Sequence, residues 1–509
     1  MLAVSDRLPR AAEIIDVDLW SPSTYVEGPP YAAFAALREQ APVAWHDEAP
    51  RRPGGRSGPG FWCVTRHADI HAVSVDTDTF SSWVGGFTGA DISGAVLEET
   101  RLNLMAMDPP EHTALRRAIR EPFGAKGVDR LKIAIERIAV EVVASIADRG
   151  RAEFVDEVAS EVPLRILAHL LGVAEADRRT FYAWSNAIIG NHDPDYGGTV
   201  ADFLAAKDAL FDYGRTVIAE KRAHPGDDFI SQVVHADIDG ESIDDERITM
   251  MWYLFLVAAN ETTRSTLSGA VQALTDWPDQ RALLLSDLDA HLPGFVEETL
   301  RMNNAVLHFR RTATRDTHLG GADIRAGDKL LLWYPSANRD DAVFAEPNRF
   351  DLTRSPNLHL AFGVGAHFCL GARLGRLSVA TTLRALLATL PDIAVAGQVI
   401  GARSNFLNWV KVMPVEFTPT LRGLASNRCS ARRSGNDVDH PLHSELVCEA
   451  APVVTPEHVG HRRLDDASIG ETGEQPVGFF PSVGHHVDVD VVAHREREAE
   501  RIRSIGAHE

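Results

Sequence analysis

The run Ala361-Phe-Gly-Val-Gly-Ala-His-Phe-Cys-Leu-Gly-Ala-Arg373 is the most informative stretch of the chain. It holds a single cysteine, Cys369, among glycines, with Phe362 seven residues before it and His367 two before. Glycine lets such a loop adopt positive φ and bring backbone N–H groups close to the sulfur. Those amides stabilise negative charge on sulfur and tune its donation to a metal. The lack of side chains also leaves room for a flat cofactor. The pattern suits one thiolate ligand on a haem iron. The bland alternative is a buried structural cysteine in a Gly-rich turn.

Composition narrows the setting. The chain has 509 residues, 45% of them hydrophobic, enough for one large α-rich enzyme with appendages. Its four cysteines, Cys63, Cys369, Cys429 and Cys448, form no CxxC pair, which argues against a disulfide framework and against zinc. No stretch has the roughly 18 uninterrupted apolar residues of a membrane span, and the first ten residues lack a secretory apolar core. The expectation is a cytoplasmic protein without a membrane anchor. A formal charge of −21, from 51 basic and 72 acidic residues, argues against general nucleic-acid binding. A local basic patch remains compatible with that charge, and Arg116, Arg117, Arg120, Arg373 and Arg376 are its candidates.

Along the chain, residues 1–28 read as an irregular lead-in. Tyr31 to Arg38 reads as a short amphipathic helix and Phe61 to Thr65 as a strand. Long stretches with helical spacing dominate from about 125 to 300, among them Val128 to Ala147 and Val200 to Ala223. Short strands follow between 305 and 340, including Lys329 to Trp333, and Ala372 to Thr389 is helical again. The expected fold class is mainly α with a small β region, in one catalytic domain over 29–424. Residues 425–509 read as a poorly ordered charged tail, with a short helix at His494 to Ile505 and no iron–sulfur pattern.

Three further constellations carry chemistry. In Val296-Glu-Glu-Thr-Leu-Arg301, Glu298 and Arg301 are three apart and share a helix face, where a carboxylate can meet a guanidinium in two-pronged fashion. In Ala258-Ala-Asn-Glu-Thr-Thr263, an acid and hydroxyls interrupt an apolar helix; side chains bonding back to carbonyls would bend it and admit water. Glu261 and Thr262 then supply an ionisable group and a hydroxyl able to relay protons. Asp108-Pro-Pro-Glu-His-Thr-Ala-Leu-Arg116 opens a helix, with Asp108 as its expected cap; His112 and Arg116, four apart, can grip one anion.

Together these motifs resemble the cytochrome P450 family, from about residue 15 to 420. The resemblance implies the P450 fold, with Cys369 as the iron ligand of haem b. It implies that His112, Arg116, Arg311 and His367 hold the haem propionates, while Phe362 and Gly363 belong to the haem loop. It places Glu261 and Thr262 in the oxygen-activating relay, with Ala259 where the family usually has Gly. It makes Glu298, Arg301 and Arg349 a structural trio. Trp184-Ser-Asn186, Asp237-Ile-Asp-Gly-Glu241 and Arg403-Ser-Asn-Phe-Leu-Asn408 are similar to segments of sterol side-chain, branched-lipid and terpenoid hydroxylases. Loop 83–87, Leu104, Val257, Ala258, Val306 and Leu307 would then face a small lipophilic substrate. The implied reaction inserts one atom of O2 into a C–H bond. Because no dinucleotide fingerprint or flavin domain is present, NAD(P)H would act only through a separate ferredoxin or flavodoxin and its reductase. A peroxide-driven peroxygenase and a non-catalytic haem sensor or carrier are the alternatives.

Overall fold

The computed structural model describes residues 9–49, 58–189, 193, 195 and 199–420. Helices dominate. The longest, Asp245–Asp276, runs through the middle of the helical core, starting where the Asp244 carboxylate accepts from the Arg247 amide at 2.8 Å. Helices Ala125–Ile146, Glu161–Leu171, Val200–Ala223, Leu288–Met302 and Ala372–Thr389 pack around it, burying side chains such as Ile135, Leu167, Leu210, Phe295 and Leu383. The helices expected at Tyr31, Val128, Val200 and Ala372 are all present, as are the strands Phe61–Val64 and Lys329–Trp333.

A five-stranded sheet flanks this bundle in the order Val43–His46, Phe61–Val64, Lys329–Trp333, His308–Ala313, Phe80–Ser81. Only the pairing of Phe61–Val64 with Lys329–Trp333 is parallel. Alternation with period two sorts the side chains. Phe61, Cys63, Leu331 and Trp333 pack with Phe34 and Trp20, while Trp62, Val64, Leu330 and Leu332 pack with Ile70 and Val73. Residues 9–28 contain two short 3-10 turns and a bridge from Arg10 to Trp45, and Ala11, Leu19, Trp20 and Tyr25 are buried in the first of these clusters. The expected tail at 425–509, with its helix at His494 to Ile505, lies outside the described residues. Among the described residues no helix is long and apolar enough to cross a membrane.

Two local expectations meet the structure, and the second of them, the Asp108 cap, is corrected. The Asp245–Asp276 helix is unbroken through Ala258 to Thr263. Thr262, Thr263 and Thr266 each donate to the carbonyl four residues earlier, at 2.7, 2.8 and 2.8 Å, as expected, within a helix that stays continuous. Asp108 does not cap the next helix, Glu111–Ile119, whose first flanking residue is Pro110. Its carboxylate instead accepts from the Ser82 amide at 2.8 Å and from the Ser81 hydroxyl, tying down the loop that follows Phe80–Ser81.

Candidate functional site

The cysteine loop is built as its glycines require. Gly363 and Gly365 have φ of 68° and 76°, and a Cβ on Gly365 would lie 2.5 Å from the Ser74 carbonyl oxygen. The Cys369 amide donates to the Phe362 carbonyl at 2.8 Å, closing the loop one turn before helix Ala372–Thr389 begins. Cys369 is exposed by surface area, yet burial is the main influence on its thiol and pushes it up, against the Gly371 amide, Arg116 and Arg376. Both observations hold if the sulfur looks into a recess rather than onto the outer surface. A bare thiol there is disfavoured as thiolate, and a bound metal cation would supply the missing stabilisation.

Beside the loop lie four basic groups. His112 and His367 have ring centroids 4.3 Å apart, and Arg116 donates to the Phe368 carbonyl at 2.5 Å. Arg311 reaches the same cluster from strand His308–Ala313 and is fully enclosed. Burial, then the charge of Arg116, pushes His112 down to about 4. His367 lies well below its usual value through burial, then Arg311 and His112. Both ring nitrogens of buried His112 and the Nε of Arg311 have no hydrogen-bond partner. Arg311 also donates to the Arg310 carbonyl at 2.7 Å, so its Nε and the neutral His112 ring are what among the described residues remain open to an acidic ligand. A planar group carrying two carboxylates fits this donor set.

The central helix exposes Ala258 and partly exposes Val257 and Thr262, although most of its length is buried. Thr262 therefore looks toward the open side. Glu261 does not. Its side chain is fully buried and paired with Arg264, also fully buried. Glu261 further accepts from Asn260 at 3.2 Å. Arg264 in turn donates to the Tyr182 hydroxyl at 3.1 Å and to Asn186 at 3.4 Å, and stacks on Trp409 at 4.2 Å. Burial raises the Glu261 carboxyl, and Arg264 opposes that rise. Of the expected acid–alcohol pair, Thr262 is thus partly exposed and Glu261 is buried against Arg264, one turn on, as successive helical residues point about 100° apart. Arg264 was not singled out in the sequence, though its spacing from Glu261 signals it. From the Trp184-Ser-Asn186 stretch Asn186 thus bonds Arg264, and from Arg403 to Asn408 the Asn408 carbonyl accepts from Ser265.

Glu298 and Arg301 form the buried two-pronged pair expected, at 2.8 and 2.6 Å. The third member is corrected. Arg349 turns outward toward Glu346 and contributes only its backbone carbonyl, at 3.0 Å from Arg301. Arg354 takes the place, donating to both Glu298 oxygens at 3.2 and 3.3 Å, because the turn at Asp351 brings it back over the pair. The preceding residue, Glu297, was also missed. It accepts from Arg376 at 2.6 and 2.9 Å and from His359 at 3.1 Å, bracketing the cysteine loop, and Arg376 stacks on Phe362 at 4.5 Å. Burial alone would raise Glu297, but these partners pull it down to about 2. A depressed carboxyl stabilises above its unfolded pKa, so this clamp holds above roughly pH 4.5 and is lost as pH falls toward 2. Acid unfolding of Glu297→Gln should therefore show a shallower slope than wild type in that window, Asp228 and Asp351 supplying part of the rest; an unchanged slope counts against the clamp.

Leu307 is removed from the substrate-facing set, since it is wholly buried in the cluster with Phe34 and Trp333, and Leu104 lies buried in the helical core. The basic patch is smaller than expected: Arg376 is held by Glu297, Arg117 pairs with Asp239 at 3.2 Å, and Arg120 and Arg373 remain exposed.

The model of the cytochrome P450 family matches residues 114–390. The chain is 35% identical over 405 residues to the steroid C26-monooxygenase of Mycobacterium tuberculosis, covering 79% of this chain and 92% of that one. It is 34% identical over 411 residues to the methyl-branched lipid omega-hydroxylase of the same organism, covering 80% and 94%. A Mycobacterium marinum cytochrome P450 solved in complex with pseudoionone superposes with a TM-score of 0.72 at 36% identity, covering 82% of this chain and 99% of that one. A family model that matches over half of the chain, relatives aligned over nearly their full length and a solved structure of the same fold make this chain a member of the cytochrome P450 family, the haem-thiolate monooxygenases.

Proposed function

We propose that this protein hydroxylates an unactivated C–H bond of a steroid side chain, a methyl-branched lipid or a terpenoid, with Cys369 as its iron ligand. The observation that carries the cofactor assignment is the His112 ring, without a hydrogen-bond partner among the described residues, buried with Arg116, Arg311 and His367 beside Cys369. The substrate class rests on what the relatives are named for. Haem, when bound, supplies the O2 activation that no side chain can.

Each residue then has a defined task. Cys369 would ligate the iron, with Arg116 nearby to balance its charge. His112, Arg116, Arg311 and His367 would hold the propionates, and Phe362 and Gly363 shape the loop. Thr262 holds a proton at its hydroxyl on the open side of the central helix. Glu261, locked by Arg264, enters proton delivery only when that pair opens. Val257 and Ala258 exclude water from the substrate side. Exposed Arg120 and Arg373 suit an acidic ferredoxin or flavodoxin, which would pass on electrons from NAD(P)H through its reductase.

The first test is the carbon-monoxide difference spectrum of the reduced, haem-loaded protein. A strongly red-shifted band supports the thiolate; its absence rejects the Cys369 assignment. Thr262→Ala should then lower product formed per O2 consumed by roughly tenfold or more, but less than the roughly hundredfold at which the cost of a lost proton donor starts, because water can stand in for the hydroxyl. Unchanged coupling would remove Thr262 from the relay.

A further inference from the structure

The loop 81–91 is strung between two anchors. At its start, Asp108 holds Ser81 and Ser82, and the Ser82 hydroxyl lies 3.4 Å from His367 Nε2. The loop therefore begins on the rim of the cysteine site. At its far end, Asp91 accepts from Arg310 Nη1 and from Lys329 Nζ, both at 2.9 Å. Those cations are nearly buried, with side chains 8% and 2% exposed, whereas Asp91 is 40% exposed.

Neither cation is there by accident of packing. Lys329 also donates to Glu48 at 2.6 Å and to the Gly89 carbonyl at 3.1 Å. Arg310 donates to the Ala90 carbonyl at 3.0 Å, and its amide donates to the Phe87 carbonyl at 2.8 Å. A Cβ on Gly85 would collide with the Arg310 guanidinium, and one on Gly89 would lie 2.7 Å from the Trp20 ring. The backbone is thus laid directly over Arg310. Strand alternation gives Arg310 and Arg311 opposite directions: one faces this loop, the other the cationic cradle.

Lys329 keeps Glu48 as a counter-ion whatever Asp91 does. Arg310 has Asp91 as its one hydrogen-bonded carboxylate among the described residues. An unpaired buried guanidinium is strongly disfavoured, so Arg310 follows Asp91.

We propose that Asp91 is a positioning residue for substrate selection: by joining Arg310 to Lys329 it sets where residues 83–87 lie beside the haem site. It acts on the shape available to a bulky ligand and leaves the thiolate and the propionate cradle alone. The inference rests on the haem-thiolate reading above.

The test compares imidazole with 4-phenylimidazole, both of which bind haem iron through nitrogen and are followed by the shift of the haem absorption. In Asp91→Asn, 4-phenylimidazole should bind roughly tenfold more weakly, while imidazole changes less than about twofold. Asp91→Glu should restore most of the difference. The double variant D91N/R310Q leaves no unpaired guanidinium and should fold while keeping the defect. Equal weakening of both ligands, or no weakening of either in a folded double variant, overturns the proposal. Absence of any nitrogen-ligand shift in the unaltered protein instead rejects the haem reading on which it stands.

Discussion

Cys369→Ala should fold, retain some haem through the cationic cradle, and lose both the red-shifted carbon-monoxide band and turnover. The loss of activity should exceed the roughly 10–100-fold that changes to groups behind a metal ligand cost, because the ligand itself is gone. Folding should survive because Cys369 makes its structural contribution through its backbone: the amide bonds the Phe362 carbonyl and the carbonyl accepts from Ala372. The side chain buries no core contact of the kind Cys63 makes between Phe61 and Trp333. Retained haem with the thiolate band absent separates the iron ligand from the cradle. A band that persists in Cys369→Ala would mean that another sulfur ligates the iron, and the assignment would fall.

Glu298→Gln should have the largest effect on the fold. The Glu298 carboxylate accepts from Arg301, Arg354, the Asp351 amide and Asn357, within about hydrogen-bond distance of each and with no exposed surface of its own. The glutamine is nearly isosteric but leaves two buried guanidinium groups without their charge partner. Breaking one side of such a pair costs roughly 3–5 kcal/mol. That is a large share of the roughly 5–15 kcal/mol by which a folded protein is held. Arg301 also donates to the Asn338 and Pro347 carbonyls at 2.8 Å, so its release loosens the segments that lead into the cysteine loop. The expected result is faster thermal inactivation together with haem loss, measured as half-life at a fixed temperature. A half-life within twofold of the unaltered protein would show that the pair is replaceable. Arg349→Gln should be mild by comparison, since only its backbone carbonyl takes part.

Much of this site was legible before any coordinates. The Gly-rich cysteine loop and the His112–Arg116 spacing are local patterns, and local geometry is dictated by neighbours in sequence. Long amphipathic spacing located the helices at Val128, Val200 and Ala372 for the same reason. What could not be read was which partner a charged side chain chooses. Arg349 and Arg354 are equally plausible guanidinium donors in sequence, and only the turn at Asp351 decides that Arg354 reaches Glu298. Glu261 beside Thr262 looks like one relay in a linear string. On a helix the two diverge, and Tyr182, Asn186 and Trp409, each far away in sequence, complete the enclosure around Arg264.

The amino-acid sequence by itself determined the thiol, the cationic residues and the helices that carry them, because each depends on residues within about two turns of one another. Tertiary structure alone decided which acid is free and which is locked, which arginine completes the Glu298 cluster, and that Asp91 bridges two buried cations from separate strands. Those outcomes depend on burial and long-range pairing. The strength of a charge's interactions is set by the solvent removed around it and by partners the chain brings from afar.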